Sequence, residues 1–555
     1  MKVVDAIAEI LKREGVEFLF AYPVNPIIEA AAKLDIRPII VRQERIGLHM
    51  ADAVSRVTSG EKIGVFTMQH GPGTENAFGG VAQAYSESVP MLVLPAGYPR
   101  KEMNSFPRFN SQLNFQHVTK HTEPVLMGKH LPDIMRRAFA QLRNGRGGPV
   151  LIEVPVDVFG EEVAEPLDYV PSFAARYAPE PKAIVDAAKL LANAQRPVIY
   201  AGQGVHYAKA WKELREFAER YSIPVCTSIE GKSAFPENHP LALGTGGRSM
   251  SPMVRKFLDN ADVIFGIGVS FASTGFGVAM PQNKGPQNKG PQKTGAKFIH
   301  ATLDPLDINK DLRIDCALLG DAQLTLQALL DELGQPNKAA LARKEETPAA
   351  IRMMKQAWLA EWEAQLGSNS KPLSPYRVIR ELMNAVDVPN TIVTHDAGSP
   401  RDQITPFWES ITPLSYLGWG KTTQLGYGLG LAMGAKLACP DKTCINVWGD
   451  AAIGFTGMDF ETCARERIPI LSILFNNFSM AIELPIMPVS TEKYRSTDIS
   501  GNYADMAKAF GCYGERVTEA GAVNDAIKRG VEATKRGEPV LLEFITEKEL
   551  AISKG

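Results

Sequence analysis

Short, uninterrupted apolar runs alternate with helical patterns along most of this chain. In its first part the runs lie at residues 18–22, 39–41, 64–67 and 91–95, with helical patterns at residues 3–13 and from about Arg45. Strands that are apolar at every position are typical of a parallel sheet covered by helices on both faces. The alternation therefore predicts a doubly wound α/β fold.

The same alternation recurs twice more, which fits a chain of 555 residues. Further strands are predicted at residues 198–201, 225–228, 263–266 and 298–303, and then at residues 392–394, 445–448, 470–475 and 540–544. A stretch rich in proline and alanine (166–184) and a charged stretch (336–371) separate the three parts. We therefore predict three doubly wound parallel-sheet domains, at residues 1–165, 185–335 and 372–548.

Composition excludes several classes of protein. The formal net charge is −2, whereas proteins that bind nucleic acid or membrane surfaces usually carry a basic excess. None of the six cysteines forms a Cys-x-x-Cys pair, no uncharged apolar run reaches about 18 residues, and no N-terminal signal is visible. We expect a cytoplasmic enzyme without nucleic-acid or membrane partners. Residues 281–295, a tandem Pro-Gln-Asn-Lys-Gly near-repeat, are predicted to form an exposed loop.

Two polar groups follow neighbouring strands of the third part. Gly449-Asp450-Ala451-Ala452 comes directly after one apolar run, and Asn476-Asn477 ends the next. Parallel strands deliver their carboxyl ends to one edge, where ligands bind. Aspartate and asparagine oxygens suit Mg²⁺, and small residues leave the next helix N-terminus open to phosphate. The alternative is a helix N-cap at Asp450 and a turn at Asn477.

Other motifs are less decisive by themselves. Gly420-Lys421-Thr422 fails as a phosphate-binding P-loop, because the required earlier glycine is Ser415. Glu44 follows a predicted strand, where an acid in the first turn of a helix is also favoured by the helix dipole. His70 precedes the string Gly-Pro-Gly-Thr-Glu-Asn at residues 71–76, and a turn histidine is an equally good interpretation.

Taken together, these motifs resemble the thiamine diphosphate-dependent enzymes of the acetolactate synthase-like (acetohydroxyacid synthase, pyruvate oxidase and decarboxylase) family. The resemblance covers essentially the whole chain, and residues 71–76 form its most specific string. Two further strings, Thr119-Lys120-His121 and Ala-Thr-Leu-Asp-Pro at 301–305, also resemble sequences of the acetolactate synthase-like group. It implies a pyrimidine-binding, a central Rossmann-like and a diphosphate-binding domain, in that order.

The resemblance also implies the site residues. A buried carboxylic acid at Glu44, with a raised pKa, would contact a ring nitrogen of the aminopyrimidine, and Leu425 would hold the cofactor bent. Asn25 and His70 join Glu44 as catalytic candidates, and a divalent cation, Mg²⁺ or another, would be bound by Asp450, Asn477 and the Ser479 carbonyl. The implied cofactor-binding residues are Glu44, Pro72, Asn76, Asp396, Gly398, Ser399, Leu425, Gly449, Asp450, Ala451, Ala452, Asn477, Ser479 and Met480. In this family the two halves of the site belong to different subunits, which implies a homodimer or homotetramer.

Several departures from the synthase pattern leave the substrate open. Asn25 lies where the synthases carry glycine, Pro107 replaces a glutamine, and Ser270 replaces the arginine of flavin-binding relatives, so FAD is not expected. Met480, Ile482 and Glu483 are candidate pocket residues. The resemblance implies a decarboxylase or carboligase for 2-oxo acids or 2-hydroxy carbonyl compounds. Alternatives are a flavin- or nicotinamide-assisted oxidoreductase like pyruvate oxidase, a lyase like 2-hydroxyacyl-CoA lyase or oxalyl-CoA decarboxylase, and a non-catalytic relative.

Overall fold

A computed structural model describes residues 1–103, 105–281 and 295–554. They form three six-stranded sheets in which every pairing between neighbouring strands is parallel. Helices flank the sheets, so the predicted α/β class with three parallel-sheet domains is confirmed. The predicted loop at residues 281–295 falls almost wholly outside the described residues.

The first domain has the strands β1 (Phe18–Ala21), β2 (Arg37–Ile40), β3 (Gly64–Met68), β4 (Met91–Gly97), β5 (His121–Pro124) and β6 (Pro149–Pro155). Their order across the sheet is β2-β1-β3-β4-β6-β5. Its helices are α1 (Val3–Arg13), α2 (Ile27–Lys33), α3 (Glu44–Val57), α4 (Pro72–Ser86), α5 (Ser111–Phe115) and α6 (Leu131–Arg143). Strands β3, β4 and β6 are buried at every position, as expected for a sheet covered on both faces.

The central domain has the strands β7 (Pro197–Ala201), β8 (Val225–Thr227), β9 (Ala242–Thr245), β10 (Val263–Ile267), β11 (Lys297–Thr302) and β12 (Cys316–Leu319), in the order β12-β11-β10-β7-β8-β9. Its helices are α7 (Pro181–Asn193), α8 (Gly204–Tyr207), α9 (Trp211–Tyr221), α10 (Pro252–Asn260) and α11 (Ala322–Leu333). The prediction of a linker up to residue 184 was wrong at its end, since Pro181 begins α7 at a position that favours proline.

Two helices, α12 (Lys338–Glu361) and α13 (Glu363–Leu366), lead to the third domain. Its strands are β13 (Thr391–His395), β14 (Tyr416–Leu417), β15 (Thr443–Gly449), β16 (Leu471–Asn476), β17 (Tyr513–Val517) and β18 (Val540–Ile545), in the order β14-β13-β15-β16-β18-β17. Its helices are α14 (Pro375–Ala385), α15 (Ser399–Phe407), α16 (Tyr427–Ala438), α17 (Asp450–Thr456), α18 (Phe460–Glu466), α19 (Pro488–Tyr494), α20 (Tyr503–Ala509) and α21 (Val523–Lys535).

The first and third domains meet where α3 crosses α16. A Cβ atom added at Gly430 would lie 2.4 Å from the His49 Cβ, and one at Gly434 would lie 2.2 Å from the Met50 carbonyl oxygen. The two glycines therefore allow the helices to touch backbone to backbone. Since α3 begins at Glu44, this contact fixes the candidate catalytic acid against the third domain. In the described part of the chain, no helix is long and apolar enough to cross a membrane.

Candidate cofactor and metal site

Glu44 is the first residue of α3 and is only 3% exposed. The side-chain nitrogen of Asn76 donates a hydrogen bond to Glu44 Oε2 over 3.2 Å. Burial raises the pKa of Glu44 above its ordinary value, and the Asn76 bond opposes part of that rise. The structure thus pairs the two residues that were predicted separately.

The chain turns sharply between β3 and α4. Gly71 has a φ of +64°, and a Cβ atom there would lie 2.5 Å from the Tyr98 hydroxyl oxygen, so only glycine fits. Pro72 follows at the first helical position, and both Pro72 and Asn76 are exposed. The face of α4 that carries them is therefore open to a ligand or a second chain.

Asn25 and His70 lie at the carboxyl ends of β1 and β3. The Asn25 amide donates to the Met68 carbonyl oxygen (3.1 Å) and accepts from the Ile27 N–H (3.0 Å), so the amide already supports the backbone. The His70 ring packs 4.5 Å from the Tyr98 ring, and its Nδ1 is buried without a partner among the described residues. Burial lowers the pKa of His70, and the neighbouring Arg108 charge lowers it further. Catalytic roles for both residues stay predictions.

Asp450 begins α17 at the carboxyl end of β15 and is 3% exposed. Its Oδ2 accepts the Ser479 N–H at 3.2 Å, and the Asn477 Oδ1 accepts the same N–H at 3.0 Å. The two predicted ligand oxygens therefore flank a single backbone nitrogen. Burial raises the pKa of Asp450 to about 6.

The residues around this pair fit a divalent cation. Within the described ranges, no group of three His, Cys, Asp or Glu side chains is placed to hold a metal ion. A metal at Asp450 therefore depends on amide and carbonyl oxygens, such as those of Asn477 and Ser479, and on ligand phosphate oxygens, which is the usual shell of Mg²⁺. The Ser479 hydroxyl is buried and has no partner among the described residues.

The turn after β13 lies beside this group. Gly398 has a φ of +87° and precedes Ser399, the first residue of α15. A Cβ atom at Gly449 would lie 3.7 Å from Pro400, so the starts of α15 and α17 are neighbours. Two helix N-termini at one sheet edge suit a diphosphate. Ala451 and Ala452 in the first turn of α17 add little bulk. Met480, which directly follows Ser479, is 37% exposed.

Asp396 links two turns of the third domain. Its carboxyl oxygens accept the N–H groups of Ala397 (2.8 Å), Gly426 (3.0 Å) and Gly428 (3.0 Å). This fully buried acid thereby ties the β13 turn to the loop that carries Leu425. Gly426 has a φ of +87° and directly precedes α16, which begins at Tyr427. Any contact of Asp396 with a cofactor stays a prediction.

A polar network that the motifs did not reveal holds the same loop against the first domain. Arg56 pairs with Asp52 at 2.7 Å and donates to the Gly418 carbonyl oxygen at 2.7 Å. The Tyr427 hydroxyl donates to Asp52 at 2.5 Å, and the Gln424 amide contacts His49 at 3.3 Å. Four of its five side chains lie within the helices α3 and α16, where no local motif marked them.

Glu87 packs into the backbone turn of the apparent P-loop string. Its buried Oε1 accepts the N–H groups of Gly420 (3.2 Å) and Lys421 (2.9 Å). A carboxylate of the chain itself therefore occupies that backbone turn. Burial, followed by the charge of Glu230, raises the pKa of Glu87 to about 7.

A separate cavity of about 550 Å³ lies between the central and first domains. Gly204, Gly268 and Ser270 line it at the carboxyl edge of the central sheet, and Arg146 lines it from the first domain. A Cβ atom on Gly204 would lie 2.6 Å from the Gly268 Cα, so these two turns pack closely. Such an edge is where doubly wound sheets bind nucleotides, but the cavity carries serine where flavin-binding relatives have arginine.

Comparisons with known proteins agree with this arrangement. Models of the N-terminal, central and C-terminal domains of thiamine pyrophosphate enzymes match residues 1–123, 184–329 and 396–544. A probable acetolactate synthase large subunit of Methanococcus aeolicus is 30% identical over the whole chain and 93% of its own length. A counterpart in Methanocaldococcus jannaschii is 31% identical over 99% of the chain and 92% of its own length.

A third relative, the acetolactate synthase isozyme 3 large subunit of Escherichia coli, is 26% identical over 96% of the chain and 93% of its own length. The matches cover all three domains, in the same order as the three sheets. The chain is therefore an enzyme of the thiamine pyrophosphate (thiamine diphosphate)-dependent family and an acetolactate synthase-like member of it.

Proposed function

We propose that this enzyme is a decarboxylase or carboligase that uses thiamine diphosphate and a divalent cation to act on 2-oxo acids or 2-hydroxy carbonyl compounds. The observation that carries the proposal is the presence of two differently partnered buried acids. Glu44 is bonded to Asn76 at the start of α3, and Asp450 shares the Ser479 N–H with Asn477.

In this proposal each half of the site does a different task. Bound thiamine diphosphate supplies an electron sink for the bond next to a carbonyl. Glu44, whose pKa burial raises, would share a proton with a ring nitrogen of the aminopyrimidine, and Asn76 would orient the acid. Asp450, Asn477 and the Ser479 carbonyl would hold Mg²⁺, and the turn at Gly398 and Ser399 would bind the diphosphate.

We also propose a homodimer or homotetramer in which a second copy covers the exposed apolar side chains around the site. Phe78 on α4, Phe455 on α17 and Met458 just after it are 38%, 46% and 53% exposed. Phe455 also lies 5.7 Å beneath the Arg45 guanidinium, next to Glu44. Light scattering on the purified protein tests this proposal, and a monomer with full activity would contradict it. A cytoplasmic location stays a prediction.

The oxidoreductase alternative is favoured by one observation, the cavity at the edge of the central sheet. A flavin spectrum in the purified protein would support it, and we expect none because of Ser270. Nicotinamide dependence would appear as activity only with that nucleotide added. The acyl-CoA lyase alternatives and a non-catalytic relative are separated from our proposal by the products formed.

The decisive experiment is therefore a product screen. Apo protein is given thiamine diphosphate and Mg²⁺, then a panel of 2-oxo acids, 2-hydroxy ketones and acyl-CoA compounds, and the products are identified by mass spectrometry. We expect CO₂ release or condensation products from the 2-oxo acids, lost when cofactor or metal is omitted. Cofactor binding without turnover of any compound would contradict the proposal.

A further inference from the structure

Three polar side chains meet beside the Gly71 turn, and no motif pointed to two of them. The Arg108 guanidinium carbon lies 4.4 Å above the Tyr98 ring, and the His70 ring lies 4.5 Å from the same ring. We call His70, Tyr98 and Arg108 the Tyr98 cluster. It lies at the carboxyl ends of β3 and β4, the edge where a parallel sheet binds ligands.

The donors of the Tyr98 cluster are largely unused by the protein. Among the described residues, neither the Tyr98 hydroxyl nor either ring nitrogen of His70 has a hydrogen-bond partner. Arg108 is 38% exposed, and within the described ranges its one ion pair is with Glu102 at 2.8 Å. A guanidinium that keeps donors beyond its one carboxylate partner, together with a neighbouring phenol and imidazole, forms a donor set for an anionic oxygen group.

The position of the cluster connects it to the reaction. The Tyr98 hydroxyl lies against Gly71, and α4, which begins at the next residue, carries the Asn76 that holds Glu44. We infer that His70, Tyr98 and Arg108 form a subsite that binds a substrate carboxylate and so determines which substrate is accepted. This inference rests on the proposed function.

The reaction itself limits which substrate carboxylate the Tyr98 cluster can bind usefully. Interactions that stabilise a carboxylate in the ground state oppose its departure as CO₂, because they are lost in that transition state. The Tyr98 cluster therefore suits a carboxylate that the product retains, as in a 2-oxo acid acceptor. An aldehyde acceptor of the same chain length lacks that group and gains nothing from Arg108.

The test compares matched acceptors on the holoenzyme at a saturating donor concentration. Arg108→Gln should raise KM for a 2-oxo acid acceptor by roughly 10–100-fold, the usual effect of a lost hydrogen bond to a charged group. KM for the corresponding aldehyde should change by less than about 2-fold, and Arg108→Lys should fall between wild type and Arg108→Gln for the acid. Tyr98→Phe should raise the acid's KM a few-fold, as expected for one neutral donor.

Arg100 provides a matched control on the same loop. It is also 38% exposed, but it is paired with Asp157 (2.8 Å) and Glu161 (2.7 Å) and does not contact Tyr98. Arg100→Gln should leave both acceptors unchanged. Equal changes for acid and aldehyde in Arg108→Gln, or no change for either, would overturn the inference.

A binding measurement separates this inference from the proposed function. Oxamate, an unreactive analogue of a 2-oxo acid, is titrated into holoenzyme by calorimetry, and Arg108→Gln should weaken its binding by a similar factor. If wild type turns over no 2-oxo acid but binds oxamate through Arg108, the proposed function fails and the subsite stands. If turnover depends on the cofactor but Arg108→Gln binds oxamate as tightly as wild type, the assignment of the subsite is wrong and the proposed function stands.

Discussion

The two halves of the candidate site each contain a buried carboxylic acid at the start of a helix, yet the two acids have different partners. Glu44 accepts one side-chain bond, from Asn76. Asp450 lies among backbone N–H groups of the segment that ends β16, next to the Asn477 amide oxygen. Burial raises the pKa of both acids.

This difference teaches that burial alone does not assign a role to an acid. At Glu44 burial raises the pKa against the opposing bond from the neutral Asn76 amide, a shift that favours proton donation. An acid beside amide and carbonyl oxygens becomes a metal ligand once a cation replaces its proton. The predictions below test this division of tasks, beginning with the largest expected effect.

Glu44→Gln should lower kcat by about 10²–10⁴-fold, because the side chain keeps its shape but no longer supplies an acidic proton. Affinity for thiamine diphosphate should stay within a few-fold, as measured by calorimetry. Glu29→Gln is the control, since Glu29 is an exposed acid in the first turn of α2. A similar loss in both variants would mean that Glu44 only stabilises its helix.

Asp450→Asn should weaken Mg²⁺-dependent cofactor binding by at least about 10–100-fold, the effect expected when a metal site is disturbed. Asp459→Asn is a close control: Asp459 is 1% exposed and burial raises its pKa to about 6, but it accepts from the Arg42 N–H and Thr462. Titrating Mg²⁺ into both variants in the presence of thiamine diphosphate measures the two affinities. Equal weakening in the two would contradict a ligand role for Asp450.

Glu87 is another buried acid, and it extends the comparison to the effect of pH. Its folded pKa of about 7 lies above the ordinary value of 4.5. Between those values the folded protein holds a proton that the unfolded chain lacks, so this contribution to stability falls as pH rises through the window. The melting temperature of Glu87→Gln, compared with that of wild type at the same pH, should therefore rise as the pH goes from 4.5 to 8. The expected rise is about 2–4 °C for each kcal/mol of stability.

Melting curves at several pH values measure that gain. Glu75 is an exposed acid in α4, the helix that ends just before Glu87. Glu75→Gln should have the melting temperature of wild type at every pH. If Glu87→Gln showed the same pH dependence as wild type, the Glu87 carboxyl would not titrate in this range.

Ser479→Ala should have the smallest effect. The hydroxyl is buried without a described partner, so its removal should change the free energy of unfolding by less than about 1 kcal/mol. The proposed ligand is the backbone carbonyl, which alanine retains, so metal affinity should change by less than about 2-fold. A large loss of metal affinity would show that the hydroxyl, and not the carbonyl, binds the cation.

Much of the fold followed from the sequence because central strands are buried on both faces. The strands that no apolar run marked are chiefly at sheet edges: β5, β9, β12, β14 and β17. Strands β5, β12 and β17 are partly exposed, and β14 has only two residues. The interior strand β6 was also missed, where the buried acid Glu153 interrupts an apolar run between two prolines.

Some residues of the candidate site could be predicted from the sequence, and others could not. Asp450 and Asn477 could be predicted because adjacent parallel strands must end at one edge, and the structure brings them to a common N–H. Tyr98 and Arg108 could not be predicted, because they meet His70 only through the folded chain. For Asn25 the sequence suggested a catalytic role, but it did not reveal that the Asn25 amide donates a hydrogen bond to the Met68 backbone.

The central claim is that Glu44 activates a cofactor held by the Asp450 half of the site. The most direct measurement is the rate of hydrogen–deuterium exchange at C2 of bound thiamine diphosphate, followed by quenching and NMR. We predict that wild type accelerates this exchange over the free cofactor and that Glu44→Gln, with cofactor still bound, loses at least about 10²-fold of that rate. Exchange in Glu44→Gln as fast as in wild type would contradict the account.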